Sequence, residues 1–303
     1  MWQHHAAGLS AAEIAARSFE PAGVGIGWQL ERLAAHDLKA CFFVDPMPAL
    51  VYGLDPIRRV VDRILTAGQE VQLHLHANWT GAVADDRQAH GPFELTGLGR
   101  DEQQTLIARA RELLVATGAP DPVAFRAGSY AADDATLDAL HALGLVYDSS
   151  HNGSAHPWPS AIGLPLRTIA PQRHRGIVEV PVTVIEERPG RLRHFQICAL
   201  SKAEMRAALD HAVQAGHVAV TIVGHGFELA TRTGVLANRV HVARFEALCA
   251  MLAERRAVLP TGHFRDRPAL ALGQADAPLA STGLRTRRRQ VEQLWSNVVE
   301  ERA

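Results

Sequence analysis

His74 and His76 stand two residues apart in Glu70-Val71-Gln72-Leu73-His74-Leu75-His76-Ala77-Asn78-Trp79, a stretch that alternates. Read as a strand, it sets Val71, Leu73 and Leu75 on one face and Gln72, His74 and His76 on the other. A strand face that carries two imidazoles has given up packing and lines a space that holds something. Two such imidazoles can converge on one cation at about 2.0–2.1 Å per Zn–N bond. Taken alone, the pair reads more simply as solvated histidines on a half-exposed strand, because 16 of the 303 residues are His.

Three further clusters shift that balance. Arg126-Ala-Gly-Ser-Tyr130 follows the short strand Val123-Ala-Phe-Arg126, Asp148-Ser-Ser-His151 follows Val146-Tyr-Asp148, and Gly224-His225 follows Val218-Ala-Val-Thr-Ile-Val223. Each has a structural explanation of its own: a surface ion pair for Arg126, a rim aromatic for Tyr130, a turn cap for Asp148, a tight corner for His225. In a parallel barrel, however, the active site is built at the C-terminal ends of the strands. Polar clusters gathered at that one end point to a single site.

The elements that must position them follow a regular order. Ser10-Ala-Ala-Glu13 is a capping box that opens a short helix, and a second helix is expected over Val24–His36. Leu38-Lys-Ala-Cys-Phe-Phe-Val44 is an apolar run of the kind that forms a parallel strand buried on both faces, ending in the turn signal Asp45-Pro46. Asp55 and Pro56 start a helix with the apolar stripe Ile57, Val60, Val61, Ile64 and Leu65, and Gly68 ends it. A polar loop from Trp79 to Arg100 follows the histidine strand and is long enough to be functional. Helices are expected over Asp101–Thr117, from Asp133 to near Gly144, from the capping box Ser201-x-x-Glu204 to Gly216, and over Ala237–Arg256. Residues 149–176 read as an extended loop, Val178–Val182 as a strand and Ala257–Leu259 as a last strand-like piece. Strand and helix thus alternate about seven times, which predicts an α/β fold, a (β/α) barrel of about seven parallel strands. No Gly-x-Gly-x-x-Gly follows a strand, so dinucleotide binding has no support. The expected division is 1–267 as the barrel and 268–303 as a linker and C-terminal helix, with Val291, Leu294 and Val298 as that helix's docking edge.

Composition narrows the classes. Net charge is −1 with a pI near 7.0, so neither nucleic acid nor an acidic membrane surface is implied as a partner. Hydrophobic residues make up 47% of the chain, enough for a large core without disulfides. Cys41, Cys198 and Cys249 are scattered and lack CxxC spacing, which suits a reducing compartment. No apolar run approaches the roughly 18–20 residues that span a bilayer. The N-terminus lacks the pattern of a signal peptide, so the cytoplasm is the default expectation.

The pieces and their order resemble the polysaccharide deacetylase (NodB-homology) family of carbohydrate esterases over about residues 24–265. Leu38–Val44 resembles the family's second strand, Gly68-Gln-Glu-Val-Gln-Leu-His74 its metal-binding histidine strand, and Phe125-Arg-Ala-Gly-Ser-Tyr130 its arginine loop. Gly144-Leu-Val-Tyr-Asp148-Ser-Ser resembles the segment that follows, and Val223-Gly-His225-Gly-Phe the last catalytic histidine. The resemblance implies a divalent metal, usually zinc, that polarises an acetamide carbonyl and activates water. His74 would ligate it. His76 is the expected second ligand, because the family's usual position, four after the first, is Asn78 here. His225 would be the general acid, Arg126 would orient a catalytic carboxylate, and the backbone N–H near Tyr130 would help hold the oxyanion. Trp79 and Asp148 are the expected substrate contacts.

One departure is large. The family carries an acidic pair on its first strand, whereas no Asp precedes Asp37 here and no apolar strand precedes the Ser10 helix. The expectation is a chain that begins downstream of the first strand, at an internal Met. Three readings follow: a metal-dependent hydrolase that deacetylates an N-acetylated sugar, a non-catalytic sugar-binding relative, or an amidase acting on a small non-sugar substrate.

Overall fold

The computed structural model describes residues 1–295. Two short helices, α1 (Trp2–Ala6) and α2 (Ala11–Phe19), precede α3 (Ile26–Ala35). The Ser10 capping box forms as expected: Ser10 Oγ accepts the Glu13 N–H and the Glu13 carboxylate accepts the Ser10 N–H. Then come β1 (Cys41–Val44), α4 (Ala49–Tyr52), α5 (Asp55–Thr66), β2 (Glu70–Leu75), α6 (Arg100–Ala116), β3 (Ala124–Ala127), α7 (Asp134–Ala142) and β4 (Tyr147–Asp148). The second half holds β5 (Gln172–His174), β6 (Ile177–Glu179), a hairpin of β7 (Val184–Arg188) and β8 (Arg191–His194), α8 (Lys202–Ala215), α9 (Arg239–Glu254) and α10 (Gly283–Trp295).

Among the described residues the main sheet runs β1-β2-β3-β4-β6-β5, parallel except for β5, and β7 and β8 pair separately. The stripe of α5, from Ile57 through Ile64, packs with α6 and α7 on Val71, Leu73 and Leu75 of β2, the largest core. Each such fully buried aliphatic side chain is worth about 1.5–3 kcal/mol of transfer free energy. A second core joins α8 and α9 to Ile185 and Phe195.

Among the described residues the sheet runs from β1 to β5 without closing, so the expected closed barrel of about seven strands is not shown. Residues 218–223 form no strand; Val223 makes one isolated bridge, to Gln196, and the Thr221 carbonyl accepts the Thr183 N–H. Strand propensity needs a ladder partner on at least one side, and that neighbour is irregular chain. β1 is the sheet's edge, and all four of its residues are half-buried rather than enclosed. The Ala257–Leu259 piece is likewise not a strand.

Residues 268–282 run along the body: the Val218 N–H donates to Asp276 Oδ2 at 3.0 Å and Leu279 bridges Ile185. α10 is held by Arg289, which enters between Glu187 of β7 and Glu204 of α8. Val291 and Leu294 face solvent instead of forming the expected docking edge, and Val298 lies outside the described residues.

Candidate active site

The inner face of β2 is polar along its whole length, and each end uses that polarity differently. At the N-terminal end Glu70 accepts the backbone N–H groups of Phe264 and Arg265, both at 2.8 Å. Gln72 is fully buried; its Oε1 accepts the N–H groups of Val123 and Ala124, both at 2.8 Å, and ties the start of β3 to β2. These contacts satisfy backbone donors that would otherwise be orphaned in the interior. The same face continues upward into His74 and His76, whose rings meet edge-on with centroids 4.9 Å apart.

His74 is oriented by its neighbour strand. Register places it opposite Arg126, and its Nδ1–H donates to the Arg126 carbonyl at 2.6 Å. That bond fixes the tautomer and leaves the Nε2 lone pair uncommitted, the arrangement usual for metal-ligating histidines. Burial, with the His76 charge second, holds the His74 imidazole well below its ordinary pKa, and burial pushes His76 down to about 4. Both rings are therefore neutral near pH 7, as metal ligation requires. The His76 ring lies on Gly128, where a side chain would collide with it.

His225 reaches the same rim. Its charge acts on both His74 and His76. Its Nδ1 is 2.6 Å from Glu228 Oε1, and its ring stacks on Phe227 at 26° with centroids 5.1 Å apart. Asp45, read from the sequence only as a turn signal, also stands here, at the C-terminal end of β1. Its Oδ1 accepts the Met47 N–H at 3.0 Å, and burial pushes the carboxyl up to about 7. The missed signal was its position directly after a parallel strand. Glu228 and Gln196 were also missed, since single polar residues in irregular chain carry no periodicity.

The other expected site residues are placed differently. Among the described residues Arg126 meets no carboxylate at hydrogen-bond distance: Nε and Nη2 donate to the Ser149 carbonyl and Oγ at 2.9 and 2.7 Å, and the guanidinium lies over Phe43. Asp148 is buried and accepts from Ser150 N–H and Oγ, beside Glu179. Burial and the Asp148 charge hold Glu179 well above the usual carboxylate range. Asp148 is thus enclosed rather than offered to a substrate. Trp79 is 2% exposed, packed against Trp2, His5 and Tyr52, so its ring is core rather than a binding surface. Tyr130 lies beside His194, with backbone φ of +60° following +54° at Ser129, a left-handed pair that non-glycine residues adopt only under constraint. Its hydroxyl is buried without a partner among the described residues.

Among the described residues no group of three or more His, Cys, Asp or Glu side chains converges as a cation site. The donors that do fit a metal are the His74 imidazole of β2, already oriented, and the His76 imidazole directly after that strand.

No family model matches the chain. No curated protein is detectably related to it. Solved structures do resemble it. A Mycobacterium smegmatis protein, provisionally described as a polysaccharide deacetylase, aligns with TM-score 0.53 and 21% identity over 84% of this chain and 81% of that one. A family 4 carbohydrate esterase from Streptomyces lividans, in complex with acetate, gives TM-score 0.43 and 15% identity over 85% and 93%. The likeness is one of fold: a mostly parallel α/β architecture of the NodB-type deacetylase kind.

Proposed function

We propose that the protein is a metal-dependent hydrolase that removes acetyl groups from N-acetylated sugars. The observation that carries this reading is the edge-on pair of His74 and His76 at the C-terminal end of a parallel strand, with His74 pre-oriented through the Arg126 carbonyl and the His225 charge acting on both rings. His74 and His76 would hold the divalent metal, zinc being the expected ion because neutral imidazoles suit it. The metal when bound would act as a Lewis acid on the amide carbonyl. His225 would deliver a proton to the leaving amine, Tyr130 would contribute at the oxyanion, and Arg126 would brace β3 against the chain after β4 by its hold on Ser149.

The test is acetate release from short N-acetylglucosamine oligomers by the metal-loaded protein, beside His225→Ala. Turnover is expected in the first and a loss of roughly 10²–10⁴-fold in the second. Small N-acetylated amides in the same assay separate a sugar deacetylase from a general amidase.

A second reading, a sugar-binding protein without turnover, is favoured by one observation: no carboxylate joins the two imidazoles as a third ligand among the described residues. Oligomer binding with no acetate released at any metal loading would select it.

A further inference from the structure

We infer that Glu228 is the positioning residue for His225, the role that fixes which ring nitrogen faces the substrate; this rests on the general-acid reading of His225 given above. Glu228 follows His225 by three residues in a turn closed by the Glu228 N–H donating to the His225 carbonyl at 3.1 Å. The turn is held from outside at two points. Gln29 Nε2 donates to the Gly226 carbonyl at 3.1 Å, and His241 Nδ1 meets the Glu228 carbonyl at 2.8 Å. Within this held turn, Nδ1 of His225 lies 2.6 Å from Glu228 Oε1.

The two partners are unequal. The His225 side chain is 42% exposed, whereas that of Glu228 is 6% exposed. A fully exposed His–Glu pair would contribute little and would need no buried partner. Here the carboxylate is buried at a cost, and its Oε2 has no hydrogen-bond partner among the described residues. A relay anchors it: Ser154 Oγ lies 2.8 Å from His194 Nδ1, His194 Nε2 meets Gln196 Oε1, and the Gln196 amide donates to Glu228 Oε1. The Cys198 thiol adds a contact at 3.5 Å, and burial together with the Glu228 charge pushes that thiol up.

A carboxylate on Nδ1 requires that nitrogen to carry the proton. The remaining nitrogen, Nε2, then carries the lone pair of the neutral ring. The ionisable groups around His225 are His74 from β2 and His76 just after it, His194 from the end of β8, and Cys198 and Glu228 themselves. Of these, Glu228 is the one at hydrogen-bond distance from Nδ1, and the Gln196 amide that donates to the same carboxylate lies 3.3 Å from that nitrogen.

The experiment is ¹⁵N NMR of the full-length protein with labelled histidines, His225 assigned through His225→Asn, compared with Glu228→Gln and Glu228→Ala. The wild type is expected to show Nδ1–H with a bare Nε2 when neutral, and Glu228→Ala to revert to the Nε2–H form that free imidazole prefers. On acetylated oligomers kcat is expected to fall about 10²-fold or more with KM within about twofold in both variants. An Nε2–H signature in the wild type, or one unchanged in Glu228→Ala, overturns the assignment. Glu228→Gln keeps the volume of the site, so an unchanged kcat there overturns it also. Absence of acetate release in the wild type would unseat the deacetylase reading instead, and the tautomer signature would still decide the role of Glu228.

Discussion

At the scale of single residues, the site depends on ring orientation. His76 has no room to move on the Gly128 side: a Cβ there would meet the ring at 2.4 Å. Gly128→Ala should rotate His76 off the rim, lower metal affinity roughly 10–100-fold as other supporting changes do, and leave the melting temperature within a few degrees. Isothermal titration with Zn²⁺ checks this, and unchanged affinity would remove His76 from the donor set. What was legible at this scale was the alternation that put Gln72, His74 and His76 on one face. What was not legible was the enclosure of Trp79 and Asp148, because exposure depends on chain distant in sequence: Trp2 and His5 cover one, Glu179 the other.

At the scale of elements, α10 is docked by charge. Arg289 lies between Glu187 and Glu204, both buried, and Thr286 Oγ1 donates to the Glu187 carbonyl at 2.8 Å. Arg289→Ala would take the cation from buried Glu204, while Glu187 keeps Arg191 and Arg193, at a cost of about 1–3 kcal/mol. We expect faster trypsin cleavage between the body and α10, with fragments read by mass spectrometry; wild-type resistance in the variant would contradict the docking. The sequence made the wrong edge of this helix visible, since Val291 and Leu294 look like a core stripe while the anchoring residue is an arginine in a basic run. The β7–β8 hairpin escaped notice for a related reason. Its strands carry five charged residues among Val184–Arg188 and Arg191–His194, although Pro189-Gly190 between them is a recognisable turn. Val218–Val223 shows the reverse error, strand composition without a ladder. Helices were read best, because the capping boxes at Ser10 and Ser201 act through neighbours three residues away and need no tertiary partner.

At the scale of the whole molecule, buried ionisable groups shape stability against pH. His151 is fully enclosed, its Nε2–H donating to the Pro165 carbonyl at 3.2 Å, and burial pushes it down to about 4 from 6.5. The unfolded chain therefore binds more protons between those values. The His151 contribution is complete above pH 6.5 and is lost as pH falls through about 4. Glu179 has the opposite sign, since burial and Asp148 raise it: its contribution is complete below 4.5 and is lost as pH rises. Urea unfolding across pH should show a shallower acid limb in His151→Asn and a shallower alkaline limb in Glu179→Gln. Identical profiles for wild type and variants would contradict both placements. The account as a whole turns on a cation held by His74 and His76 beside His225, and metal stoichiometry by mass spectrometry tests it most directly. After incubation with Zn²⁺ and desalting, one equivalent should remain on the wild type and on His225→Ala, and none on His74→Ala. Equal metal on the wild type and on His74→Ala would contradict it.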